Sequence, residues 1–146
     1  MSSKMILAVA MAITSILGVG TRAVSAQPRI TDAVLGTDSK EKADGYEIVN
    51  ATSEFRPDTA KLVCVFKVAG AGIGTSVRGV WIAEDVGPVA PPNYKIDEKS
   101  LTLPFINAGR FSLTKPNGGW PVGAYRLEIY FGDVLAKTVK FTVKAP

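Results

Sequence analysis

Histidine is absent from the 146-residue sequence, and cysteine occurs once, at Cys64. Without histidine the chain lacks the commonest general base and the commonest zinc ligand, so neither a Ser-His-Asp nor a Cys-His catalytic arrangement can form. A single cysteine cannot form an intramolecular disulfide, which excludes a cysteine-rich scaffold. The apolar core must therefore hold the fold by itself, and we expect no cofactor and no metal site.

Acidic side chains do not supply an obvious catalytic or metal site either. The adjacent pairs Glu84-Asp85 and Asp97-Glu98 lack the ligand spacing of a calcium loop and the pattern of a carboxylate dyad. We interpret them as solvated surface charges. Cys64 falls on the apolar side of an alternating stretch, which predicts a small buried core residue and not a reactive thiol. We therefore expect a protein that is not an enzyme.

The first 26 residues have the pattern of a secretory signal peptide. Lys4 gives a positive start, residues 5–19 are mostly apolar, and Val-Ser-Ala at 24–26 is a small-x-small cleavage signature before Gln27. The alternative is an uncleaved membrane anchor, but this stretch is shorter than the roughly 20 apolar residues that a spanning helix needs. We expect a secreted or periplasmic protein whose single domain is residues 27–146, without a membrane span after cleavage.

The charge of the mature chain gives little support for nucleic-acid binding. Removal of residues 1–26 takes away Lys4 and Arg22, so the formal charge falls from +4 to +2, with 15 basic against 13 acidic side chains. These charges are mixed in sign along the whole chain. A basic cluster of the kind that holds a phosphate backbone is not present in the sequence.

Apolar and polar residues alternate most densely near the C-terminus, and this pattern predicts a β-hairpin. Two runs with the period of a strand are separated by Gly132-Asp133, a pair that suits a tight turn. Residues 61–68 and 75–84 predict two further strands, and in the second of them Trp81 is a core candidate if its indole nitrogen finds an acceptor. The predicted core contains Leu62, Cys64, Phe66, Trp81, Tyr125, Leu127, Ile129 and Phe141.

The connections between these runs are rich in glycine and proline. Residues 69–74 contain three glycines, but a strand-like segment and not a helix follows them, so a hairpin connection is favoured over a nucleotide loop. Residues 27–35 predict a first edge strand, and residues 36–45 predict an exposed polar loop. Two more strands are expected between residues 96 and 114. A sustained helical period is not found after residue 26, so we predict an all-β antiparallel sandwich of seven to nine strands.

Residues 115–130 read Lys-Pro-Asn-Gly-Gly-Trp-Pro-Val-Gly-Ala-Tyr-Arg-Leu-Glu-Ile-Tyr and are followed by a Gly-Asp turn and a closing Thr-Val-Lys-Phe-Thr-Val strand. This run resembles the last strand pair of bacterial secreted immunoglobulin-like or fibronectin-like sandwich modules. The resemblance implies an immunoglobulin-like β-sandwich. It says little about function, since modules of unrelated functions share this strand pair. The chain lacks the two bridging cysteines of antibody domains, although Trp81 could take the place of their buried tryptophan.

Two proline-restricted loops, residues 88–94 and 116–123, carry the candidate contact residues Tyr94, Trp120 and Pro121. Stiff loops with aromatic rings lose little entropy when they bind a partner. The alternative for Trp120 is that its ring folds back and plugs the open end of the sandwich, because an exposed indole beside an apolar hairpin is costly.

Three functions fit this sequence. The first is an exported non-catalytic binding or interaction module of the periplasm or cell surface, whose partner is another protein or an envelope component. The second is a structural cell-envelope assembly protein that is completed by a partner strand along one of its sheet edges. The third is a small enzyme or inhibitor without a recognisable site.

Overall fold

The computed structural model describes residues 27–105 and 107–146, and the predicted signal peptide at 1–26 lies outside them. The described residues form ten strands and a single turn of 3-10 helix at Gly87–Val89. The strands are β1 (Arg29–Gly36), β2 (Asp38–Lys42), β3 (Gly45–Val49), β4 (Glu54–Phe55), β5 (Lys61–Ala69), β6 (Ser76–Asp85), β7 (Tyr94–Thr102), β8 (Ala108–Thr114), β9 (Gly123–Phe131) and β10 (Val134–Val143).

The strands build two packed sheets and one additional hairpin. One sheet has the order β1-β5-β8, the other has the order β4-β10-β9-β6-β7, and β2 pairs only with β3. All pairs are antiparallel except the short pair of β4 with β10. The all-β antiparallel sandwich predicted from the sequence is therefore confirmed, with ten strands where seven to nine were predicted, as is the C-terminal hairpin of β9 and β10 around Gly132-Asp133.

A single core fills the space between the two sheets. All eight residues predicted for the core belong to it, together with further residues of the strands and loops: Leu35, Phe55, Leu62, Cys64, Phe66, Val68, Val77, Trp81, Ala83, Val86, Leu103, Phe111, Leu113, Trp120, Tyr125, Leu127, Ile129, Phe141 and Val143. The sheets approach each other closely at Gly79, where a Cβ atom would lie 2.9 Å from the ring of Phe111. A side chain at position 79 would therefore push the two sheets apart.

The hairpin of β2 and β3 covers the outer face of the three-stranded sheet. It lies against β5 and β8, and Val63 and Val65 on that face are only 2% and 8% exposed. Arg110 of β8 places its guanidinium 4.3 Å from the ring centroid of Tyr46. The prediction of a loop for residues 36–45 is wrong. Strands were predicted from alternating apolar residues, and this segment has none. The side chains of β2 are mostly exposed, and main-chain pairing with β3 forms the strand.

The glycine-rich residues 70–75 connect the two sheets. The sequence predicted a hairpin connection here, but β5 belongs to the three-stranded sheet and β6 to the five-stranded one, so this prediction is wrong. The segment after β7 crosses between the sheets in the same way. Strand alternation identifies each strand, whereas the sheet to which a strand belongs depends on pairing with segments distant in the chain.

Candidate functional site

An apolar groove opens at the end of the sandwich where β6 ends and β7 and β9 begin. It has a volume of about 320 Å³, and its lining consists of aliphatic, proline and aromatic residues: Ala83, Val86, Val89, Ala90, Pro91, Tyr94, Ile96, Pro116, Trp120, Pro121 and Tyr125. All three contact residues predicted from the sequence lie in this lining. The two proline-rich loops, which are distant in the sequence, are thus brought together as opposite walls of one groove.

Trp120 is a structural part of the groove wall. Its side chain is 3% exposed and belongs to the core, its Nε1–H donates a hydrogen bond to the Thr59 carbonyl at 2.7 Å, and its main-chain N–H donates to the Pro57 carbonyl at 2.8 Å. Gly119, with φ of +87°, allows this approach, since a Cβ there would lie 2.7 Å from the Pro57 oxygen. Of the two alternatives left open for Trp120, the structure has the buried plug.

Tyr125, near the start of β9, fixes the same wall of the groove as Trp120. Its hydroxyl donates a hydrogen bond to the carbonyl of Pro121, four residues upstream, and its ring stacks on Phe141 with centroids 5.2 Å apart. Burial raises the pKa of the Tyr125 hydroxyl to about 12, so it stays a neutral donor at physiological pH. This arrangement matches the tyrosine corner of immunoglobulin-type sandwiches. It ties the loop that carries Trp120 and Pro121 to the sheet.

The mouth of the groove is formed by exposed residues. Tyr94 is 51% exposed and Val89 is 66% exposed. Tyr94 pairs with Ala83, and because paired residues share a face, its ring lies on the inner side of the sheet with Ala83. Sequence reasoning located the loop at 88–94 but missed Val89, since the direction of a side chain in an irregular loop is not encoded in any periodicity.

The groove offers an apolar surface, and the described residues that line it include no acidic or basic side chain. The polar atoms of Trp120 and Tyr125 are occupied by main-chain carbonyls, which leaves the hydroxyl of Tyr94 as the polar group at the mouth. The nearby Asp85 carboxylate accepts a hydrogen bond from the main-chain N–H of Gly87 at 3.0 Å. Among the described residues, 27–105 and 107–146, groups of histidine, cysteine and acidic side chains able to hold a metal ion are not found.

The outer face of the five-stranded sheet carries many charges, but they pair with one another. Arg78 and Lys95 contact Glu98 at 2.7 and 2.9 Å, and Arg126 contacts Glu128 at 3.3 Å. Lys95, followed by Arg78, lowers the pKa of the Glu98 carboxyl from its usual 4.5, so this carboxylate stays ionised. Opposite charges alternate and pair on this face. It therefore lacks a patch of a single sign that would attract an oppositely charged partner.

Cys64 lies in the core of β5, as the sequence predicted. Burial is the main cause that raises the pKa of its thiol to about 12. A buried thiol with such a pKa is neither nucleophilic nor a ready metal ligand at neutral pH. It does not belong to the groove.

Comparison with known proteins identifies the fold. No protein-family model and no curated protein matches the chain. An immunoglobulin-like protein of Pseudomonas aeruginosa superposes on it with a TM-score of 0.54 and 19% identity, covering 83% of this chain and 99% of the other.

Two enzymes are similar only over a small part of their length. They are the beta-D-glucoside glucohydrolase of Trichoderma reesei, with a TM-score of 0.43 and 14% identity, and a beta-glucosidase of Listeria innocua, with 0.42 and 8%. The matches cover 80% and 77% of this chain but 19% and 16% of those enzymes, so they carry no inference about activity.

Among the described residues, helices long and apolar enough to cross a membrane are not found. By its two sheets, its buried Trp81 and its tyrosine corner, this chain has an immunoglobulin-like β-sandwich fold.

Proposed function

We propose that this protein is an exported, non-catalytic interaction module. In this proposal the groove where β6 ends and β7 and β9 begin holds an apolar side chain of a partner protein. The observation that carries the proposal is the convergence of Tyr94, Trp120 and Pro121 on one groove with apolar walls. Its volume of about 320 Å³ lies at the lower end of the range of ligand pockets.

The chemistry of the walls determines what the groove can accept. A partner group with donors or acceptors would lose its hydration without gaining hydrogen bonds from Trp120 or Tyr125, which are already bonded internally. An aliphatic or aromatic group gains from burial without such a loss, at about 25 cal/mol for each Å² of apolar surface removed from water. Proline on both walls keeps them in place before binding, so little ordering entropy opposes association.

The edge-strand alternative has less support. β7 is the long strand at one of the two edges of the five-stranded sheet, but it carries Lys95, Glu98 and Lys99, and its pairing with β6 is interrupted by a bulge next to Trp81. Charges and bulges on an edge strand are features that prevent pairing with other chains. An enzyme is disfavoured because the apolar groove contains no arrangement of groups for acid, base or nucleophilic chemistry.

Site-specific photocross-linking in the producing cell tests this proposal. A benzophenone amino acid replaces the exposed Val89 at the groove mouth, and a control chain carries it in place of Lys40, on the hairpin far from the groove. We expect a covalent adduct with another polypeptide from position 89 and not from position 40. The adduct should disappear when the chain also carries Tyr94→Ser. Failure to form an adduct at position 89, or equal adducts from both positions, would contradict the proposal.

A further inference from the structure

The end of the sandwich opposite the groove carries an exposed isoleucine, Ile73, which lies beside Leu103, Pro104 and Phe105 in the lining of a second hollow. Ile73 is 87% exposed, the largest exposure among the large hydrophobic side chains of the described residues. It lies at the tip of the loop between β5 and β6, and a Cβ atom added to either neighbour, Gly72 or Gly74, would find no atom within 4 Å. The tip of this loop thus projects from the domain, and most of the surface of the Ile73 side chain is exposed to solvent.

Strand register places Ile73 and the groove at opposite ends of the molecule. β6 begins at Ser76, directly after the loop, and ends at Asp85, beside the groove lining. A strand of this length spans about 30 Å at about 3.3 Å per residue. A single copy therefore cannot bring Ile73 into its own groove, whereas two copies arranged end to end can.

We infer that the groove of one copy receives Ile73 from the projecting loop of a second copy, an inference that rests on the proposed function of the groove. The side chain of Ile73 is aliphatic and has no hydrogen-bond donors or acceptors. Such a group suits the apolar walls around Trp120 and Tyr125, whose own polar atoms are already bonded. The glycines on either side of Ile73 leave room for the groove walls to close around it. Because the two contacting surfaces differ, the contact is heterologous and adds further copies in an open chain.

The contact is small, and its size sets its strength. One side chain in one groove buries far less than the roughly 1,200 Å² of the smaller specific and stable interfaces. We therefore expect weak assembly, with a dissociation constant on the order of 1 mM or somewhat below it. Such a contact would matter where many copies are concentrated at one surface, because tethering raises the effective concentration.

Sedimentation of the mature protein from about 10 μM to about 1 mM tests the inference. The wild-type average mass should rise steadily with concentration. Ile73→Ser and Tyr94→Ser should each remain monomeric, since the first lacks the projecting isoleucine and the second lacks the aromatic ring at the mouth of the groove. An equal mixture of the two should form dimers and nothing larger. Val134→Ser, which removes another exposed side chain at the same end as Ile73, should assemble as the wild type does.

Several results would overturn the inference. It is wrong if the wild type stays monomeric at about 1 mM, if Ile73→Ser still assembles, or if the mixture does not pair. A monomeric wild type that still gives an adduct with a different protein from position 89 rejects self-association and retains the proposed function. Failure of both experiments rejects the groove as a binding site.

Discussion

Trp120→Ala should destabilise the domain strongly, because the indole belongs to the core even though one of its faces lines the groove. Truncation of a buried tryptophan costs about 3–5 kcal/mol, and the Thr59 carbonyl would lose its donor at about 1–3 kcal/mol more. A small domain has about 5–15 kcal/mol of stability in total. Urea unfolding followed by circular dichroism measures the change. With a slope near 2 kcal/mol per M, a loss of about 4–8 kcal/mol lowers the midpoint by about 2–4 M.

The chain contains a matched control for the hydrogen-bond part of this estimate. Trp81 is fully buried, although its Nε1 has no hydrogen-bond partner among the described residues, so the condition that the sequence analysis set for its burial is not met. Trp120→Phe and Trp81→Phe remove the same atoms, and only the first removes a hydrogen bond. Trp120→Phe should therefore cost about 1–3 kcal/mol more than Trp81→Phe. Equal costs, or a near-wild-type midpoint for Trp120→Ala, would refute the assignment of Trp120 as a bonded core plug.

The remaining predictions concern the core, the thiol and the leader. Leu127→Ala should cost about 2–5 kcal/mol in urea unfolding, since the side chain is completely buried, and a near-neutral effect would place that face in solvent. The free energy of unfolding should fall as pH rises from about 9 to about 12, because the Cys64 thiol ionises near its ordinary 9.0 when unfolded and only at about 12 when folded. Cys64→Ala should make this decline shallower, and an unchanged slope would contradict the assignment. Mass spectrometry of exported protein should give Gln27 as the first residue, and retention of residues 1–26 would mean an anchored or unexported chain.

The central strands could be predicted from the sequence because each has a local signature. Tyr125, Leu127 and Ile129 alternate with polar residues, and all three are buried as the two-residue period requires. The polar strand β2 has no such signature, since its formation depends on pairing with β3 and on covering Val65 of β5. Its residues look like a loop when the chain is considered one segment at a time.

The candidate site was only partly predictable for the same reason. Composition alone identified the two stiff loops and their aromatic residues, because proline restricts the chain wherever it occurs. The burial of Trp120 depends on the Thr59 carbonyl, which lies 61 positions earlier in the sequence. The inward direction of Tyr94 depends on its pairing with Ala83. Contacts of this range follow from the assembled sheets and not from any local pattern.

Under the proposed function, stability and recognition are coupled at the groove end of the sandwich. The hydrogen bonds from Trp120 to Thr59 and from Tyr125 to Pro121 remove the polar atoms that a hydrophilic ligand would need, and they also hold the walls in place before a partner arrives. A groove that is already formed loses little entropy on binding, so even a single apolar side chain can give a measurable contact. Substitution of Trp120 would therefore confound folding with binding. Val89 and Tyr94, exposed at the mouth and outside the core, are the positions at which binding can be weakened while the fold stays intact.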